Sequence, residues 1–248
     1  MYISKKDAFE LFSHLDSIED GSNNSYFENQ TMIDHIFVQL ECAVEKRLDL
    51  LKKEINSLQS VNNRTHFVGN PEKFSKGCYS CLCGSGLSTI RKTNKCNAKC
   101  DFCYYYGALD CQPTIPEGMW EIGGTRFYEK DIDMLISICN RPSGVAYAYL
   151  EPFLEIDKYY GIIEKFHKAG IYQHLYTNGI AATEESIKKL GDAGLNELRF
   201  NLGATNCSKK VIENIRTAKK YISAVGIETP MTPKFFESFA KGESCVVL

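Results

Sequence analysis

Apolar positions along residues 1–70 recur at steps of three and four: Phe9, Phe12, Leu15 and Ile18, then Phe37, Leu40, Val44, Leu48, Leu51, Ile55 and Leu58. That period belongs to amphipathic helices, so residues 1–70 are read as an amino-terminal helical extension, two helices divided by the polar run Glu19–Ser25. Beyond Cys111 the period changes. Four β-like runs, Val145–Leu150, Tyr172–Tyr176, Glu197–Leu202 and Ala224–Glu228, alternate with amphipathic helices, their starts each one strand-plus-helix unit apart. Asp157, Thr183 and Ser208 stand where amino-terminal caps belong, Gly170 and Gly194 where helices stop, and Thr232-Pro233 opens one more helix. A weaker strand, Ser88–Thr93, precedes the array and brings the count to five. Right-handed crossovers wind such units into an α/β fold, here a partial (β/α) TIM-like barrel over residues 88–248, incomplete at its carboxyl end. Residues 71–87 form a cysteine-rich segment between extension and barrel. Functional residues of such a fold collect at the carboxyl ends of the strands.

Composition narrows the function. An apolar share of 44% in 248 residues supports a sizeable core, and a net charge of -2 gives no reason to expect nucleic acid. No apolar run is long enough to span a membrane and the first residues lack a signal-peptide core, so a cytoplasmic protein without a membrane partner is expected. Two surface motifs are set aside. Cys245–Leu248 fits a prenylation box but lacks a polybasic neighbour, and Asn63–Thr65 is a glycosylation acceptor that a cytoplasmic chain does not use. Eleven cysteines, an odd number with seven of them between Cys78 and Cys111, suit metal ligation better than a disulfide framework.

Cys96-x3-Cys100-x2-Cys103 follows the first strand and therefore sits on the barrel rim. Three thiolates so close can hold three corners of an iron–sulfur cube and leave the fourth iron open to a small molecule. A rival grouping, Cys78-x2-Cys81 with Cys100-x2-Cys103, has the spacing of a four-cysteine structural zinc site, a binding module rather than an enzyme. It leaves Cys83 and Cys96 without a role. A third reading is an iron–sulfur electron carrier with Cys111 as fourth ligand. Cys78, Cys81 and Cys83, with Cys111, are candidates for an auxiliary iron–sulfur cluster or other metal, and one of the first three is alternatively a hydrogen-atom donor. Lys73, Lys76, Arg91, Lys92, Lys95 and Lys99 lie in a stretch without an acidic residue, a docking face for an acidic electron donor such as flavodoxin or ferredoxin, or else a solvated surface. His174, inside a strand, is read as a core histidine before a proton relay.

The cysteine spacing, with Phe102 before the last cysteine, resembles the signature of the radical S-adenosylmethionine (radical SAM) enzymes. Leu150-Glu-Pro152 at a strand end is similar to that superfamily's Gly-Gly-Glu-Pro segment, with Tyr149 and Leu150 where glycines stand, and Tyr176-Thr-Asn-Gly179 is similar to its Thr-Asn-Gly. The resemblance implies a [4Fe–4S] cluster on Cys96, Cys100 and Cys103, with S-adenosyl-L-methionine on the fourth iron. It further implies Phe102 near the adenine, Glu151 and Pro152 with Thr177 and Asn178 around the methionine amino group, and Arg199 and Asn201 toward carboxylate and ribose. An enzyme that generates a 5′-deoxyadenosyl radical is the function implied, and its substrate, a peptide or protein among the options, is not fixed by these motifs.

Overall fold

The computed structural model describes residues 35, 38, 39, 42, 45–61, 65–82, 87–100, 102–103, 114–122, 125–139, 144–228 and 230. Residues 1–69 and 70–248 form two compact units. In the first, residues 45–54 form helix α1, and strands β1 (Leu58–Val61) and β2 (Thr65–Val68) pair antiparallel. The helical reading to residue 70 is corrected at this point. Leu58, the last member of the apolar stripe, opens a strand, because the chain turns at Asn56–Ser57 and Gln59 Nε2 donates to the Gly69 carbonyl at 2.9 Å. Residues 1–34, Phe37, Leu40 and Val44 lie outside the described residues.

The second unit is built on a seven-stranded sheet of order β5-β4-β3-β6-β7-β8-β9. Five of its strands are parallel: β3 (Ser88–Arg91), β6 (Val145–Tyr147), β7 (Gln173–Thr177), β8 (Glu197–Phe200) and β9 (Ala224–Ile227). These are the five read from periodicity, and with helices α4 (Tyr160–Lys168), α5 (Glu184–Asp192) and α6 (Lys209–Tyr221) between consecutive strands they form a partial (β/α) barrel. Two strands were not expected. β4 (Met119–Ile122) and β5 (Thr125–Tyr128) form an antiparallel hairpin against β3, and the Gly123-Gly124 pair between two short β-type runs is the signal that marks it. Helix α2 (Lys76–Leu82) precedes β3, and α3 (Ile132–Cys139) leads into β6.

Helix ends follow the local chemistry. Thr183 and Ser186 make a reciprocal capping box at the start of α5, and Gly170 and Gly194 take left-handed φ of 71° and 92° just past α4 and α5. Asp157 is not a cap: it lies within the 3-10 segment Pro152–Lys158, and α4 is preceded by Tyr159. Ser208 precedes α6 but makes no side-chain cap bond. The helix expected from Thr232 lies outside the described residues.

Alternation along the strands gives the sheet two different faces. Leu175, Leu198 and Phe200 turn to the helices and pack with Ile163, Phe166, Ile187, Leu190 and Ile215, each fully buried side chain contributing roughly 2 kcal/mol. The opposite face is polar. His174 pairs across with Glu197 and Tyr176 with Arg199, and the segment entering α2 docks there. Arg199 Nη2 donates to Ser75 Oγ at 3.4 Å and Cys78 Sγ at 3.2 Å. Gly77 permits this approach, since a Cβ in its place would lie 2.6 Å from His174 Nδ1 and 2.8 Å from Arg199 Nη2. His174 itself is buried with neither ring nitrogen hydrogen-bonded, and burial, then Arg199, hold its pKa down to about 4. His174 is thus a neutral, buried histidine.

Candidate active site

At the carboxyl ends of the parallel strands lies a cleft of about 500 Å³. Cys96, Cys100 and Cys103 line one wall; Leu150 and Glu151 (after β6), Thr177 and Asn178 (end of β7), Asn201 (after β8) and Glu228 (after β9) line the rest. Phe102 lines it beside the thiols, whereas Pro152 is buried behind Glu151. The cysteine loop is tethered at several points. Glu151 N donates to the Lys95 carbonyl at 2.9 Å, Asn178 Nδ2 to Asn97 Oδ1 at 2.7 Å, and Cys103 N to the Cys100 carbonyl at 2.9 Å. Asn94 closes a two-bond bridge to the Ile115 backbone, 2.9 Å in both directions. The loop is thus held by the two neighbouring strand ends before any ligand arrives.

Glu151 is the central tie. Its side chain is fully buried, Oε1 accepting from Phe153 N at 3.1 Å and Thr177 Oγ1 at 2.7 Å, Oε2 from Asn178 N at 2.7 Å. Burial pushes its pKa up, while these three donors favour the ionised form. The two residues before it, Tyr149 and Leu150, hold φ of 72° and 57°. Left-handed backbone costs a non-glycine residue roughly 1–2 kcal/mol, so the segment keeps a conformation suited to glycine although neither residue is one.

Arg199 departs from the sequence expectation. It does not line the cleft: Nε donates to Glu197 (2.7 Å), Nη1 to Glu228 (2.8 Å) and Tyr176 (3.2 Å), and Nη2 to Ser75 and Cys78, which uses all its donors. Asn201, two residues on, does reach the cleft. Glu228 is not among the residues the sequence motifs mark, and Tyr176 enters them only as the residue before Thr177-Asn178. A charged residue directly after the strand Ala224–Ile227 was the available signal for Glu228.

The basic stretch is also redistributed. Arg91 and Lys92 are buried and paired with Glu121 (2.9 Å) and Glu129 (2.5 Å), leaving Lys73, Lys76, Lys95 and Lys99 exposed. Cys78 lies against Arg199, a poor neighbour for a divalent metal; the side chain of Cys81, and all of Cys83 and Cys111, lie outside the described residues. Cys96, Cys100 and Cys103 are thiols, not disulfides. Among the described residues no three His, Cys, Asp or Glu converge as a single ion requires. Partial burial, first of all, raises the pKa of the Cys96 thiol.

The profile of the radical SAM superfamily matches residues 90–238. The chain belongs to this superfamily. Radical SAM proteins in general use S-adenosylmethionine with a [4Fe–4S] cluster. Among curated relatives, an uncharacterized protein of Methanocaldococcus jannaschii is 28% identical over 172 residues, covering 62% of this chain and 53% of the relative. A putative glycyl-radical enzyme activating enzyme of the same organism is 26% identical over 191 residues, covering 69% and 47%. The chain thus spans about half the length of the curated relatives it matches. Of solved structures, native anSMEcpe with bound AdoMet and Cp18Cys peptide aligns at 18% identity and a TM-score of 0.42, over 62% of this chain and 48% of that one. Among the described residues no helix is long and apolar enough to cross a membrane.

One contact set beside the cysteine loop titrates. Burial favours a raised pKa for Glu155, but hydrogen bonds from Lys158, Thr93 and Lys95 outweigh it and hold the carboxyl down to about 2. Its folded pKa lies below the ordinary 4.5, so its stabilising effect is complete above that value and lost as pH falls toward about 2. Urea midpoints should fall across that window, and Glu155→Gln should flatten the fall; an unchanged slope in the variant would remove Glu155 as the cause.

Proposed function

We propose that this chain is a radical SAM enzyme in which Cys96, Cys100 and Cys103 hold a [4Fe–4S] cluster and the cleft beside them takes S-adenosylmethionine. The observation that supports this reading most directly is the gathering of three thiols, Glu151, Thr177, Asn178 and Asn201 around one cleft at the strand ends. The chemistry supplied there, with cluster and cosubstrate bound, is one-electron cleavage of the sulfonium carbon–sulfur bond and hydrogen abstraction by the resulting 5′-deoxyadenosyl radical. The chain's own residues orient and enclose. Glu151 clamps the ends of β6 and β7, so the Leu150–Glu151 backbone and Asn178 present fixed polar groups toward the methionine end. Phe102 offers an apolar face to the adenine, and Asn201 a hydrogen-bonding amide to the ribose or carboxylate. Arg199 is not assigned to the cosubstrate, because its donors are in use within the protein.

A peptide or protein is the proposed substrate class, supported by the activating-enzyme relative and by analogy at the level of fold. An acidic donor such as flavodoxin or ferredoxin is the proposed electron source, meeting the exposed Lys95 and Lys99 near the thiol loop.

Anaerobic reconstitution with iron and sulfide, then dithionite and S-adenosylmethionine, tests the reading. A brown protein releasing 5′-deoxyadenosine is expected. A colourless protein binding one zinc through four cysteines would sink it, and a brown protein yielding no nucleoside would point to the electron carrier instead.

A further inference from the structure

Among the described residues the charges around Arg199 do not balance. One guanidinium is shared between Glu197, 2.7 Å from Nε, and Glu228, 2.8 Å from Nη1. Glu197 is fully enclosed and its second oxygen accepts the Tyr172 hydroxyl, whereas the Glu228 side chain is 56% exposed and lines the cleft. The negative charge that Arg199 leaves uncompensated therefore lies at the cleft, on Glu228. No Lys, Arg or His is among the described residues lining that cleft, and around Glu228 the wall consists of neutral Tyr176, Asn201, Ala204 and Pro230. Glu151, the other carboxylate of the cleft, is buried and taken up by three protein donors, so Glu228 is the carboxylate left open to a molecule bound there.

The geometry points to Glu228 as the residue that receives a cationic group of the substrate, a protonated amine or a guanidinium carried by a peptide. This rests on the radical SAM reading above and adds the substrate's charge to it. The amino group of the cosubstrate is a poor alternative occupant. Glu151 follows β6 and Glu228 follows β9, with β7 and β8 between them, about 14 Å measured along the curved sheet at ordinary strand spacing. A methionine moiety held near Glu151 and the thiols keeps its amino group at that end, and Asn201, the proposed ribose or carboxylate contact, follows β8, so Glu228 after β9 is one strand beyond the cosubstrate's last assigned contact. Arg199 in turn acts as a positioning residue, fixing the carboxylate so that little side-chain freedom is lost when a cation arrives.

The test uses the reconstituted full chain with S-adenosylmethionine present and acetylated, amidated, dye-labelled pentapeptides that differ only in a central Lys, Arg, norleucine or Glu. Fluorescence anisotropy should show the Lys and Arg peptides binding about fivefold tighter than norleucine, the value of a partly exposed ion pair. Glu228→Gln, which can still accept from Arg199, should erase that preference, and Glu228→Lys should turn it toward the Glu peptide; an unchanged thermal midpoint in Glu228→Gln shows that the fold persists. Equal affinity for Lys and norleucine peptides in the wild type overturns the inference. So does a Glu228→Gln variant that keeps its Lys preference while losing S-adenosylmethionine affinity, which would assign the carboxylate to the cosubstrate. Failure of the enzyme reading itself is seen separately, as a wild-type protein that makes no 5′-deoxyadenosine.

Discussion

Cys96→Ala should bring 5′-deoxyadenosine release down to background, a fall of more than about a hundredfold, or about 2.7 kcal/mol of lost barrier lowering. The size follows from the donor count. With three thiols on the wall, a cubane uses every one of them to keep a single corner open, so deleting one leaves two anchors and no defined open position. Iron content after anaerobic reconstitution should drop in parallel. Cys42, an exposed thiol in the first unit, provides the control: Cys42→Ala should retain both cluster and product. Unimpaired product formation by Cys96→Ala would refute the ligand assignment. The zinc arrangement omits Cys96 and forecasts the reverse, metal binding untouched by this substitution.

Glu151→Ala should produce the second largest effect, on stability as well as activity. Three donors, the Phe153 and Asn178 amides and the Thr177 hydroxyl, converge on this carboxylate in a site closed to water. Removing it strands them, at about 1–3 kcal/mol for each that finds no substitute, so a loss on the order of 3 kcal/mol is expected from urea unfolding. Glu151→Gln is milder, about 1–2 kcal/mol, because its oxygen still accepts while its amide nitrogen confronts a donor. A loss below about 0.5 kcal/mol in the alanine variant would mean that the clamp is not structural. Because the same clamp joins the ends of β6 and β7, both variants should also lower S-adenosylmethionine affinity.

Much of the barrel could be read in the chain, and the reasons are local. The parallel strands are short apolar runs set off by helices whose stops are glycines, and Gly170 and Gly194 do take the left-handed backbone that only such a residue adopts readily. The hairpin β4–β5 was hidden by its shortness, four residues a side, and by the absence of a long apolar run. The hairpin β1–β2 was hidden by an apolar step that continued the helical count to Leu58, one position after the chain had already turned. For the site, the thiol spacing and the Leu150-Glu-Pro152 and Thr177-Asn178 segments were visible because each is contiguous and follows a strand. The partners of Arg199 are not legible for a different reason: alternation says which face of β8 it takes, but the segment that covers this face comes from residues 75–78, more than a hundred positions earlier, and no period links them. Glu228 was passed over because its significance depends on how many carboxylates share one guanidinium.

The contact between Gly77 and the His174–Arg199 pair bears on how this protein can be trimmed. A fragment beginning at β3 would keep every strand of the seven-stranded sheet and each proposed cluster ligand, yet it would uncover a buried imidazole and deprive a guanidinium of two acceptors. The outermost residues of the barrel in sequence are thus not its outermost in construction. Residues 70–82 act as a keystone, and a core isolated without them should emerge poorly soluble although it contains all of the sheet.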